Sequence, residues 1–126
     1  MRYLSDVAAH IRKATHNERF LKLVQTSDSS HPPIFRDWMV SVAFYIALQY
    51  VDSKLAVLGV TPEERHPANH AQRNYAVAVR LPRPVSRDYF YLKAKSEYAR
   101  YFPDSEKRIS LKTVQNCIRL SLNSFK

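Results

Sequence analysis

The sequence predicts an all-α fold, an up-and-down bundle of four to five helices formed by residues 1–126 as a single domain, and three observations carry that expectation. The seven prolines, at 32, 33, 62, 67, 82, 84 and 103, punctuate the chain and leave proline-free runs long enough for helices. Within those runs apolar residues recur at helical spacing. Few stretches alternate as strands do, and a lone glycine leaves little material for tight hairpin turns. The most β-like run, Tyr75-Ala76-Val77-Ala78-Val79, sits inside a helical span and reads as helix.

The first helix takes Ser5 as its N-cap, with Val7, Ala8, Ile11, Ala14, Phe20, Leu21 and Val24 on an apolar face. It ends near the polar cluster 26–30, ahead of His31-Pro32-Pro33. The second, Phe35 to Leu58, is apolar nearly all round, as the buried central member of a bundle would be. Gly59 follows it where a left-handed residue commonly closes a helix. Thr61-Pro62-Glu63-Glu64 has a capping-box pattern, so a short turn or the third helix itself begins near 61, and the main body runs to about Arg80. Pro82 and Pro84 end it, and a fourth helix starts at Ser86 or Asp88 and runs through Phe102 to Pro103. The fifth runs from about Asp104 or Ser110 to Ser124, with Leu111, Val114, Ile118 and Leu122 as its core stripe.

Composition excludes several functional classes. With hydrophobic residues at 45% and charged residues at 25%, the chain has a globular balance. No stretch approaches the roughly 18 apolar residues of a membrane span, and the first residues lack a secretory h-region. Cys117, the single cysteine, allows neither a disulfide framework nor a cysteine-based zinc site and reads as a small buried apolar residue. Together these features predict a cytoplasmic protein without membrane contact. The scarcity of glycine removes phosphate-binding loops and dinucleotide fingerprints. The net charge of +9 is uneven: residues 35–66 carry −1 and residues 107–126 carry +5. That asymmetry points to a polyanionic partner such as nucleic acid, or else serves solubility.

Chemistry concentrates in Arg65-His66-Pro67-Ala68-Asn69-His70-Ala71-Gln72-Arg73-Asn74, at the start of a helix. His70, Arg73 and Asn74 lie within one turn of each other, where the positive end of the helix dipole attracts phosphate. An imidazole titrates near neutrality and can take a proton from a ribose 2′-hydroxyl, and a guanidinium can stabilise the anionic transition state. His70, Arg73, Asn74 and Arg65 are therefore the catalytic candidates. Alternatively, the same residues are capping and salt-bridging groups at a solvated helix start. Along the second helix Ser41, Tyr45, Gln49 and Asp52 form a polar ridge that requires partners, and a facing Arg or His from the next helix would meet it. Tyr45, Gln49, Asp52 and His66 are the substrate-binding candidates. His66 and His70 are four apart without a third ligand, so no metal site and no cofactor is expected. The aromatics Tyr89, Phe90, Tyr91, Tyr98, Tyr101 and Phe102 interleave with Arg87, Lys93, Lys95 and Arg100, which reads either as base stacking or as core packing.

Trp38 to Leu55 (W-M-V-S-V-A-F-Y-I-A-L-Q-Y-V-D-S-K-L), then Gly59-Val60, His70-x-x-Arg73-Asn74 and Tyr98-Ala99-Arg100-Tyr101 together resemble the HEPN superfamily over about residues 35–102. Within it they resemble a group of small prokaryotic HEPN-like proteins with an F-Y-x-A-L-H-x-V-D helix. The resemblance implies a four- to five-helix bundle that dimerises, and a metal-independent endoribonuclease whose motif is Arg followed directly by a polar residue, with four to six residues between the Arg and a closing His. Two registers compete: Arg65-His66 with His70, interrupted by Pro67, and Arg73-Asn74, where Ala78 stands in place of the closing His. Gln49 stands where that group often has His. The resemblance further implies a toxin or defence component, with a nucleotidyltransferase-type antitoxin as a possible partner. The alternatives are a non-catalytic HEPN-like module that binds nucleic acid or nucleotide or docks a partner, and a purely structural interaction subunit.

Overall fold

A computed structural model describes residues 2–27 and 35–126. These residues are helical, with no strand among them: α1 (Arg2–Ser27), α2 (Arg36–Leu58), α3 (Pro62–Arg65), α4 (His70–Arg80), α5 (Arg83–Tyr101), α6 (Ser105–Arg108) and α7 (Leu111–Asn123). The all-α expectation is met. α2 lies at the centre, with α1, α5 and α7 packed along it and the single-turn α3 and short α4 resting on it beyond. Phe44, Ile46, Leu55, Tyr89, Leu92 and Leu21 are fully or almost fully buried where these helices meet.

Several boundaries differ from the sequence expectation. α1 starts at Arg2, so Ser5 lies within the helix and not at its cap. α1 is described as far as Ser27, inside the cluster 26–30 where its end was expected; the rest of that cluster and residues 31–33 lie outside the described residues. Gly59 does close α2, its N–H donating to Leu55 O (2.8 Å), but at φ −64° it is not left-handed. It is required for space. A Cβ here would lie 2.7 Å from Leu55 O and 2.8 Å from Arg65 N, both backbone atoms.

The Thr61 cap forms, its Oγ1 accepting from Glu64 N–H (3.2 Å), but it starts only the single turn α3. α4 has its own cap: Asn69 Oδ1 accepts from Gln72 N–H (2.9 Å), and Gln72 Oε1 accepts from Ala68 N–H (2.8 Å). Pro82 and Pro84 open α5 as much as they end α4, because a proline in the first turn lacks only an N–H that would have had no helical partner. α5 therefore begins at Arg83, ahead of Ser86. Leu111, expected in the core stripe of the last helix, is its first residue and 49% exposed, whereas Val114 and Ile118 are buried.

By length and composition alone α2 could cross a membrane (mean hydropathy 1.2), where no such stretch was expected; 67% of that window is buried inside the bundle. A central core helix has the same character. Its burial is incomplete, since Trp38 and Val57 are exposed.

Candidate functional site

The sequence candidates gather where α3, α4 and α5 meet the polar ridge of α2. α4 is amphipathic, and its inner positions Arg73, Ala76 and Val77 turn toward α2. Arg73 reaches Asp52 through two parallel hydrogen bonds, Nε to Oδ1 at 2.8 Å and Nη2 to Oδ2 at 3.2 Å. The two side chains are only 13% and 10% exposed. A bidentate pair so nearly dry is strong and oriented, and it also neutralises both partners. Near it lies the Tyr89 hydroxyl, buried without a hydrogen-bond partner, and Asn74 Oδ1, one residue on from Arg73, is likewise buried and unpartnered. Burial pushes the Tyr89 hydroxyl up to about 12; the Arg73 charge opposes this, and the Asp52 and Glu97 carboxylates add to it.

The ridge of α2 finds partners from several elements. Asp52 is met by the facing arginine that its pattern called for. Tyr45 OH accepts from Arg100 Nη1 of α5 (3.1 Å), and Gln49 Oε1 accepts from His10 Nδ1 of α1 (2.7 Å). Ser41 donates to Asp37 O in its own helix. His70 is exposed at the first position of α4, and its charge helps, after the Lys93 contact, to hold the Glu97 carboxyl below its ordinary value. His66 is exposed between α3 and α4.

Arg65 has a different setting. Its Nε donates to Gly59 O and its Nη2 to Val60 O, both at 3.1 Å, so the guanidinium folds back on the α2–α3 turn. The structure thus brings Arg73, Asp52 and Tyr89 together, leaves His70 exposed at the start of α4 and ties Arg65 to backbone. No protein-family model, curated protein or solved structure matches this chain. The site therefore rests on its own geometry.

Two participants escaped the sequence reading. Glu64 of α3 accepts from Val60 N–H (2.9 Å) and from Arg80 Nε (2.6 Å) and Nη2 (3.3 Å), clamping the C-terminal end of α4 to the α2–α3 turn. Its place in a capping box concealed that second role. His10 belongs to a helix far away in sequence, and nothing local to Gln49 points to it. Among the described residues no three His, Cys, Asp or Glu side chains converge to hold a metal ion.

Proposed function

We propose that this chain is a HEPN-like helical module that binds RNA without cutting it, and that the arginine of the candidate catalytic group serves as a strut. The Asp52–Arg73 pair carries this reading. Both inward-facing N–H groups of Arg73 are spent on a carboxylate that is nearly buried, so the pair offers an incoming phosphate almost no net charge. Freeing the arginine would leave Asp52 unpaired in that setting, at a cost of about 3–5 kcal/mol were burial complete. Arg65, the other catalytic arginine candidate, is occupied by Gly59 O and Val60 O. RNA remains the partner favoured by the net charge of +9 and its concentration in residues 107–126. A symmetric dimer belongs to the same reading, and light scattering would detect it.

Ribonuclease activity is the second reading, and the exposure of His70 at the start of α4 favours it. Titration of a labelled single-stranded RNA in EDTA separates the two. We expect affinity to fall between about 50 and 200 mM salt with a slope of roughly −0.7 per phosphate contacted, and the RNA to stay intact. Cleavage that His70→Ala abolishes while helicity is retained would replace this reading with the catalytic one. Absence of binding at low salt would leave the structural interaction subunit.

A further inference from the structure

α5 presents two polar flanks. Lys93, Glu97 and Arg100 face the site just described. Tyr91, Lys95, Tyr98 and Phe102, spaced four, three and four apart, make a stripe on the other flank. That stripe borders a cavity of about 330 Å³, lined by Lys95 and Tyr98 of α5, Arg108 at the end of α6, Ser110 of the α6–α7 connection and Thr113 of α7, with Val40 of α2 contributing apolar surface. The volume lies within the range of small-ligand sites.

The lining and the ring behind it are unusual for a structural crevice: Tyr98 lines the cavity, and Phe102, outside the lining, backs it. Tyr98 and Phe102 are stacked, with centroids 4.7 Å apart and planes 17° from parallel, yet they remain 37% and 44% exposed. Arg108 lies 5.2 Å from the Phe102 centroid, and Lys95 lies 5.5 Å from that of Tyr91. The charged lining is wholly cationic, and among the described residues neither Lys95 nor Arg108 has a carboxylate partner. Ser110 and Thr113 add hydroxyl groups at the start of the 13-residue α7; Ser110 Oγ caps the helix by accepting from Thr113 N–H (3.1 Å) and lies 2.9 Å from Thr113 Oγ1, so the two hydroxyls are held side by side. Behind this wall Arg36 Nη1 donates to Ile109 O (3.0 Å), while Arg36 Nε is buried without a partner.

We infer that this cavity is a binding subsite for a nucleoside monophosphate unit, an inference that rests on the RNA-binding reading above. The base stacks on the Tyr98 ring, which Phe102 backs, since every base has an aromatic face that a ring platform can take. The phosphate lies toward Arg108 and Lys95, with the Ser110 and Thr113 hydroxyls within the same cavity. The stacking platform and the unpaired cations are what distinguish a nucleotide from a simple anion or an acidic peptide. The unit is either one nucleotide of a single strand or a free mononucleotide, and both present the same chemistry.

The test uses the full chain, a short labelled oligoadenylate, an abasic oligomer of equal length and AMP. Tyr98→Ala should weaken oligoadenylate binding about 5- to 100-fold, as loss of one stacked base does, and Tyr98→Phe should retain it within about twofold. Arg108→Gln should flatten the salt dependence by about 0.7, and Lys13→Gln on α1, outside the cavity, should have a smaller effect on affinity. The abasic oligomer should bind wild type about as weakly as oligoadenylate binds Tyr98→Ala. Chemical-shift changes at Tyr98 and Phe102 on adding AMP would assign the subsite to free mononucleotide as well; binding of the oligomer alone would assign it to the strand. If wild type and Tyr98→Ala bind oligoadenylate equally, the subsite is overturned while RNA binding stands. If wild type binds neither oligomer nor AMP, both readings fall.

Discussion

Gly59 lies where the chain turns from α2 into α3 with its φ at −64°, which any residue can adopt, so it must be glycine for lack of room. The distinction can be tested. Gly59→Ala should cost about 1–3 kcal/mol in a denaturant titration, because two of the three atoms a Cβ would meet are backbone and cannot rotate away. Gly59→Asn should fare no better, whereas a left-handed cap would tolerate asparagine. Tyr89 offers the opposite case. Its ring is packed against Phe44 and Phe90 but its hydroxyl has no partner, so Tyr89→Phe should raise stability by about 1 kcal/mol; a comparable loss would mean that an ordered water satisfies that hydroxyl. The sequence was informative about single residues where one pattern demanded one partner. Asp52, a carboxylate on an otherwise apolar helix, called for a cation from the next helix, and Arg73 supplies it. It was silent on Tyr89, because an aromatic at helical spacing looks the same whether its hydroxyl ends in water or in the core.

α4 owes its position to polar contacts at both ends. At its start, Asn69 and Gln72 share two hydrogen bonds with backbone, and Asn69→Ala should lower thermal stability by about 1 kcal/mol. At its end, Arg80 pairs with Glu64, and that contact, with the Val60 N–H, lowers the Glu64 carboxyl from its ordinary 4.5 to about 2. A carboxyl depressed by folding stabilises the native state above its unfolded value and loses that contribution as pH falls toward its folded value. Melting temperature should therefore decline between about pH 4.5 and 2, and Glu64→Gln should flatten that part of the profile. The helical elements themselves were legible from breakers and caps, but the starts of α4 and α5 were not. Thr61 and Asn69 both carry capping chemistry eight residues apart, and local sequence does not say which one begins the longer helix. Prolines end one helix and open the next with equal ease, which moved the start of α5 forward.

At the scale of the molecule, the apolar run of residues 35–58 foretold a helix with neighbours on most sides, and α2 is that helix. The order of packing around it was not legible, since His10 meeting Gln49 depends on how α1 lies across α2. The far end of the chain is also engaged. Phe125 is 1% exposed, and Glu18 of α1 accepts from both Tyr50 OH (2.9 Å) and Lys126 Nζ (3.2 Å). Phe125→Ala should cost about 3–5 kcal/mol and shift the whole unfolding transition, as measured by helicity against denaturant. α1 rests chiefly on α2, whereas α2 also carries α5 and α7. That unequal sharing makes α1 a candidate for opening as a separate cooperative unit. Its amides should exchange with deuterium through detachment of that one helix, at a lower free energy than the amides of α2, whose protection should end only when the entire chain unfolds.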